Sequence, residues 1–353
     1  MRSAAALETR SYVVSYFGQA AYSEEGDCPG GINPTIEEQY LKNLAALGYN
    51  GTEIEAFAKK AVEEGGNDIE RLMYERGRID GKPINPYVYP ETVVDPKLVA
   101  LTGKYAYGFD LDGRGVDDPD GFTDPETKEA GIDNQFFRAF GCVRPYRGSL
   151  AGRPTYWAWA WGQLQDSQPA WLITLSGEDL DKDGEVTVTF DRALEHLKSN
   201  SDGSPRHDVS YRIDSDPRSH NVFRGEIRDG VVNVTEHGNF RMLQNPLVAP
   251  ELNLKSTHFR FKFRRDGSAE GILGGYQPWR EIYFAFASGG PAFEVCITGD
   301  IVGLYYLLKR NADADANPTT GQNDDISASY QVEAVPAFAV PATDIQRKAA
   351  VGG

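Results

Sequence analysis

From about residue 152 onward the chain alternates apolar and polar residues with a period of two. Trp171-Leu172-Ile173-Thr174-Leu175 and Glu185-Val186-Thr187-Val188-Thr189-Phe190 are the clearest runs. Similar ones lie at 209–213, 222–227, 231–235, 259–263, 269–273 and 283–286. Only a strand puts every second side chain on one face, so such a pattern buries one side of a sheet and wets the other. The runs recur about every ten residues between Asp-Gly and Gly-Gly turns, the signature of an antiparallel sandwich or barrel. The spacing therefore predicts a large antiparallel β domain over residues 151–345. Residues 156–161 read as one of its strands, with Trp157, Trp159 and Trp161 on a single face as core or as a ligand-stacking platform. Two helices are expected to interrupt it. One starts at Asp191 with Ala193, Leu194 and Leu197; the other starts at Asp300 with Ile301, Leu304, Tyr305 and Leu308. Residues 311–325 read as a solvated loop, and 326–334 as a return to the sheet.

Upstream the period lengthens to that of a helix. Ile36, Tyr40, Leu41, Leu44 and Leu47 recur at helical spacing after Asn33-Pro34 and stop at Gly48. Thr52-Glu53-Ile54-Glu55 reads as a capping box opening a second helix, and a third is expected over 68–76 before Gly77. The expected organisation is α+β. An irregular lead covers 1–32, with 12–17 a short strand or helical turn. A small helical subdomain follows at 33–80. A Pro-rich connector with an acidic loop spans 81–150, then comes the β domain, and 346–353 form a flexible tail.

The connector carries the densest chemistry. Between residues 109 and 137 it holds Asp110, Asp112, Asp117, Asp118, Asp120, Asp124, Glu126, Glu129 and Asp133. Carboxylates this close repel unless solvent or a cation compensates. Ca²⁺ takes several oxygen ligands, which closely spaced Asp side chains and a Gly-permitted turn supply. Asp110, Asp112, Asp117 and Asp118, closed by Asp133 and Asn134, are the expected ligands. Arg114 and Gly121 stand where an EF-hand loop needs ligands, so the site is not of that kind. A second, weaker candidate is Asp179, Asp181 and Asp183 before Gly184. It matches the first six positions of an EF-hand loop but has Phe190 at position twelve and reads as a β-hairpin turn.

Other constellations are thinner. His207, His220 and His237 lie near Asp208, Asp214, Asp216 and Glu236, without zinc-ligand spacing. No nucleophile elbow or phosphate-binding Gly loop occurs. Cys28, Cys142 and Cys296 lack metal or redox spacing, and Cys142–Cys296 is the natural pair if a disulfide forms. The net charge of −16 argues against nucleic acid and anionic membranes, and no run is long enough to span a bilayer. Residues 1–20 have no leader-type apolar core, so the expectation is a mature extracytoplasmic form (periplasmic or secreted) or else a cytoplasmic one. The resulting expectation is a soluble extracytoplasmic binding or accessory protein with a structural Ca²⁺ and a protein or carbohydrate partner. The alternatives are a carbohydrate-active enzyme, hydrolase or lyase, using paired carboxylates and an aromatic platform, or an obligate subunit of an assembly.

Overall fold

Strand β1 (Glu8–Gln19) buries Tyr12, Val14 and Phe17 on one side and Val13 on the other. It pairs antiparallel along both edges, so the lead expected to be irregular contains a central strand. The computed structural model describes residues 7–46, 48–63, 73–74, 76–148, 153–165, 167–243, 250–297 and 299–342. After β1 come helices α1 (Ile36–Ala46) and α2 (Gly51–Glu63). Both start with reciprocal capping boxes, Thr35 with Glu38 and Asn50 with Glu53, each displaced about two residues from the sequence reading. Most of the third helix expected at 68–76 lies outside the described residues. Hairpin β2 (Gly77–Ile79) and β3 (Lys82–Ile84) precedes the connector. The connector contains β4 (Phe122–Thr123) and β5 (Ala130–Ile132), and leads to α3 (Gln135–Phe140) and α4 (Thr155–Leu164).

The remaining strands are β6 (Pro169–Gly177), β7 (Gly184–His196), β8 (Val209–Ile213), β9 (Asn221–Arg228), β10 (Val231–Val234), β11 (Phe240–Leu243), β12 (Glu251–Phe263) and β13 (Ala269–Pro278). Helices α5 (Trp279–Ala287), α6 (Gly290–Ile297) and α7 (Ile301–Asn311) follow, then β14 (Ala314–Ala316) and β15 (Asn323–Pro341).

Eight of these strands close on themselves in the order β1-β6-β7-β9-β10-β12-β13-β15 and back to β1. Every pair in the ring is antiparallel. Each strand beds against the next barrel strand in the chain, and β15 returns to β1. The expected sandwich or barrel is thus a closed barrel, which leaves no free edge in the ring. Strands β8, β11 and β14 attach outside it. Aromatic side chains fill the interior. Phe17 stacks on Tyr330 at 4.9 Å and meets Trp171 at 5.0 Å, and Phe190 meets Phe259 edge-on at 4.9 Å. The same core continues without a break into α3, α4, α5 and α7.

Four sequence expectations give way here. Residues 155–164 are helical, so the Trp row does not share a strand face. Trp157 is fully buried, Trp161 is half-buried, and the side chain of Trp159 lies outside the described residues. Alternation of Trp with Ala cannot distinguish a buried helix from a strand, and Ala is the best helix former. The helix expected to start at Asp191 is absent: residues 191–196 continue β7, with Trp171 opposite Arg192 and Leu172 opposite Asp191. Pairing with β6 overrides the local propensity. Residues 283–286 belong to α5, which begins where Pro278 ends β13. The loop at 311–325 contains β14, paired with the start of β15. The helix expected at Asp300 is present, with the Asp300 side chain capping it by accepting from Gly303 N at 3.0 Å.

The disulfide also differs from expectation. Cys28 bonds Cys142, closing a sequence separation of 114, while Cys296 lies in helix α6 and not on a strand. Cys142 belongs to a small core with Leu101, Phe122 and Phe137, against which Cys28 packs. No helix among the described residues is long and apolar enough to cross a membrane.

Candidate metal centre

The connector lies against the outer face of β12, β13 and β15. Glycines on both sides permit the approach. A Cβ on Gly108 would meet Oγ of Ser329 at 2.8 Å, and one on Gly274 would meet the ring of Phe109 at 2.8 Å. Oγ of Ser327 accepts from Gln135 N at 2.9 Å, and Arg260 of β12 reaches across to Asp124 at 3.1 Å beneath the ring of Phe109. Asp124 is fully buried, and its other oxygen accepts from the backbone of Glu126 and Thr127. Protein contacts therefore already fasten both ends of the acidic loop.

Within that frame the chain doubles back, with Asp133 N donating to Phe109 O at 2.8 Å. This brings Asp110, Asp112 and Asp133 together, each offering an oxygen within 4.8 Å of the others. Asp110 is half-buried, Asp112 exposed and Asp133 buried. Asp110 accepts from Gly113 N at 2.8 Å and Gly115 N at 3.0 Å. Asp133 accepts from Leu111 N at 2.7 Å and Asp112 N at 3.3 Å. Asp112 accepts from Arg114 N and pairs with the Arg114 guanidinium, which also reaches Asp118 at 3.3 Å.

Burial, followed by the neighbouring Asp112 and Asp313, pushes the Asp133 carboxyl up to about 7, although the two backbone donors pull the other way. Asp313 is pushed up to about 6, again mainly by burial, despite accepting from Ser327 N at 2.7 Å. Tyr276 of β13 is raised as well, by burial and then by Asp133, Asp313 and Asp112. Negative charge is thus disfavoured at Asp133, Asp313 and Tyr276. Such a site favours either a proton or a cation.

Of the six ligands expected here, the structure gathers three. Asp117 is exposed and outside the cluster. Asp118 is buried and turned to Arg114 and Asp120 N. Asn134 caps α3 by accepting from Phe137 N at 3.2 Å, and its amide donates to Ala20 O and Tyr107 O. It lies outside the cluster formed by Asp110, Asp112 and Asp133.

The second candidate is rearranged too. Asp179 and Asp181 gather with Glu8 of β1, while Asp183 turns away to accept from Asp229 N at 2.9 Å. Arg10 and Lys182 already pair with this group at 2.8 Å and 2.6 Å, so its charge is compensated by the chain. The turn joins β6 and β7, the expected hairpin, with Ile173 opposite Phe190 and Leu175 opposite Val188.

The histidines disperse. His220 bonds Asp191 at 2.7 Å, and His237 stacks on His258 with ring centroids 3.5 Å apart. His207, His220 and His237 join no metal-type cluster among the described residues. Sequence reasoning missed Asp313, Tyr276 and Glu8. Asp313 had a signal: Ala312-Asp313-Ala314-Asp315-Ala316 alternates like a strand, and part of it is one.

Among the described residues two clusters of carboxylates could therefore hold a metal ion, and the one at Asp110, Asp112 and Asp133 has the less compensated charge. Comparison with known protein families, curated proteins and solved structures returned no match.

Proposed function

We propose that this chain is an extracytoplasmic binding or accessory protein in which Asp110, Asp112 and Asp133 hold a divalent cation that stiffens the acidic loop against the barrel. The observation that carries the reading is the convergence of these three carboxylates beside Asp313, with Asp133 shifted toward its protonated form. All the donors are oxygens and no thiol or imidazole joins them, which favours Ca²⁺ over Zn²⁺ or copper. The remaining coordination positions would come from water and backbone carbonyls. The Cys28–Cys142 disulfide supports an oxidising compartment, periplasmic or secreted, where Ca²⁺ is abundant. A thermal unfolding scan of the full chain with EDTA and then with excess Ca²⁺ tests it. A midpoint that rises with Ca²⁺ and loses the rise in Asp133→Asn supports the reading; equal midpoints overturn it.

A second reading, a carbohydrate-active acid–base enzyme, draws on the same residues. Asp133 and Asp313, raised to about 7 and about 6, carry protons at neutral and mildly acid pH beside Tyr276. Glycoside hydrolysis at mildly acid pH, abolished in Asp313→Asn, would favour it over the structural cation.

A further inference from the structure

We propose that the groove between the acidic connector and the outer barrel wall binds a neutral saccharide, a single hexose or a disaccharide. This goes beyond the cation reading, because Asp110, Asp112 and Asp133 do not line the groove.

The groove encloses about 440 Å³. Its floor is the outer face of β12, β13 and β15, its near wall is the connector around Tyr107 and Glu126, and its far wall is the entry to α4 at Arg153 and Pro154. Such a volume lies in the range of small-molecule sites. Both signs of charge line it, with Arg153, Arg260 and Lys262 facing Glu126 and Glu270. Most of these heads are already engaged: Arg153 with Glu333, Arg260 with Asp124, and Glu270 with Arg264. A phosphate or carboxylate ligand would meet the two glutamates, and a cationic ligand would meet three basic groups. With the partners Glu333, Asp124 and Arg264 counted, four basic groups meet four acidic ones, so the lining offers hydrogen-bonding capacity without net charge.

Its geometry fits a ring that is apolar on its faces and polar around its rim. The aliphatic surface of Ile272, with Pro154 and the ring of Tyr107, supplies faces for C–H groups. The Gln331 amide, the Glu126 and Glu270 carboxylates and the Arg153 and Arg260 guanidinium groups line the same groove, and donors and acceptors side by side are what vicinal hydroxyls require.

Saturation-transfer NMR and calorimetry on the full chain, with glucose, galactose, mannose, maltose and cellobiose as probes and inorganic phosphate as the charged control, test the proposal. The expected result is saturable binding of at least one neutral sugar with Kd below about 10 mM and none of phosphate. Ile272→Trp, which fills the groove from an outward-facing strand position, should weaken that binding by at least about tenfold. Glu126→Gln, at an exposed position in the wall, should weaken it by about threefold or more without changing the unfolding midpoint. Failure of every sugar to bind, preference for phosphate, or undiminished binding in folded Ile272→Trp and Glu126→Gln overturns the assignment. Binding that persists in EDTA separates this result from the cation reading.

Discussion

The ring of Phe109 rests on Gly274. A Cβ at Gly274 would approach Phe109 Cδ2 to 2.8 Å and Ser329 Oγ to 3.0 Å. This contact docks the start of the acidic loop on β13 and sets the position of Asp110 next to it. Gly274→Ala should push the ring off the strand and lower stability by about 1–3 kcal/mol, the usual cost of overpacking a close contact. Denaturant unfolding checks this. An unchanged midpoint would mean that the connector does not depend on the contact.

The protonation of the carboxylate patch gives stability a definite slope with pH. Burial raises Asp133 to about 7 and Asp313 to about 6, well above the ordinary value near 3.9 that each takes when the chain unfolds. Between those limits the folded chain binds more protons than the unfolded one. Their contribution is full below about pH 4 and is lost as pH rises through about 6 and then about 7. In EDTA, the unfolding free energy attributable to this patch should therefore fall between about pH 5 and about pH 8. Saturating Ca²⁺ should flatten that fall, because the cation compensates the charge that the proton otherwise removes. Urea unfolding of wild type and of Asp133→Asn/Asp313→Asn at both pH values isolates the contribution. Equal slopes in the two proteins would contradict the assignment.

The barrel was legible because period-two runs such as 171–175 and 185–190 admit no other burial pattern. Its closure was not, since nothing in Tyr12-Val13-Val14 announces that it will meet residues 334–336 at the far end of the chain. Local pattern also failed where both states bury everything. Tyr156, Trp157 and Ala160 are buried in a helix as completely as they would be in a strand. Asp191 to His196 shows the opposite case, in which a helix-like string is held as a strand by its neighbour β6. At the site, the crowding of acids was visible in sequence, and so was the pairing of Asp110 with Asp112 and Asp133. The distinction between ligand and cap was not. Asn134 caps the start of α3, and Asp313 arrives from some 180 residues away through the pairing of β14 with β15.

The disulfide closes a loop long enough to matter. Linking Cys28 to Cys142, a sequence separation of 114, removes chain entropy from the unfolded state worth about 4–5 kcal/mol in the loop-closure model. Cys28→Ser/Cys142→Ser should lose about 2–5 kcal/mol of stability. Thiol titration of the denatured, unreduced wild type should find one reactive thiol of the three cysteines, Cys296. Three thiols in protein purified without reductant would refute the pairing.

Arg76 ties the end of the helical segment to the helices beneath the barrel, and its removal should be felt in a pH-dependent way. Its guanidinium bonds Glu294 at 3.1 Å and Asp300 at 3.2 Å, and all three side chains are almost wholly inaccessible. Tyr87 donates to Glu294 at 2.7 Å, and Ile301 N donates at 2.8 Å, so the carboxylate is saturated. Burial pushes the Glu294 carboxyl up to about 7, and the Arg76 charge is the largest influence holding it down. Arg76→Met leaves Glu294 and Asp300 buried without their counter-ion, which at neutral pH should cost about 3–5 kcal/mol. With Arg76 gone, Glu294 takes up a proton more readily than before, so the folded variant binds more protons than its unfolded chain. Its stability relative to wild type should then recover as pH falls toward about 5 and worsen as pH rises toward about 8. Adding Glu294→Gln supplies a neutral group of the same shape and should remove most of that pH dependence. Paired unfolding curves for Arg76→Met and Arg76→Met/Glu294→Gln at the two pH values decide it: a loss in the single variant that stays constant with pH would mean that Arg76 acts through packing and not through its charge.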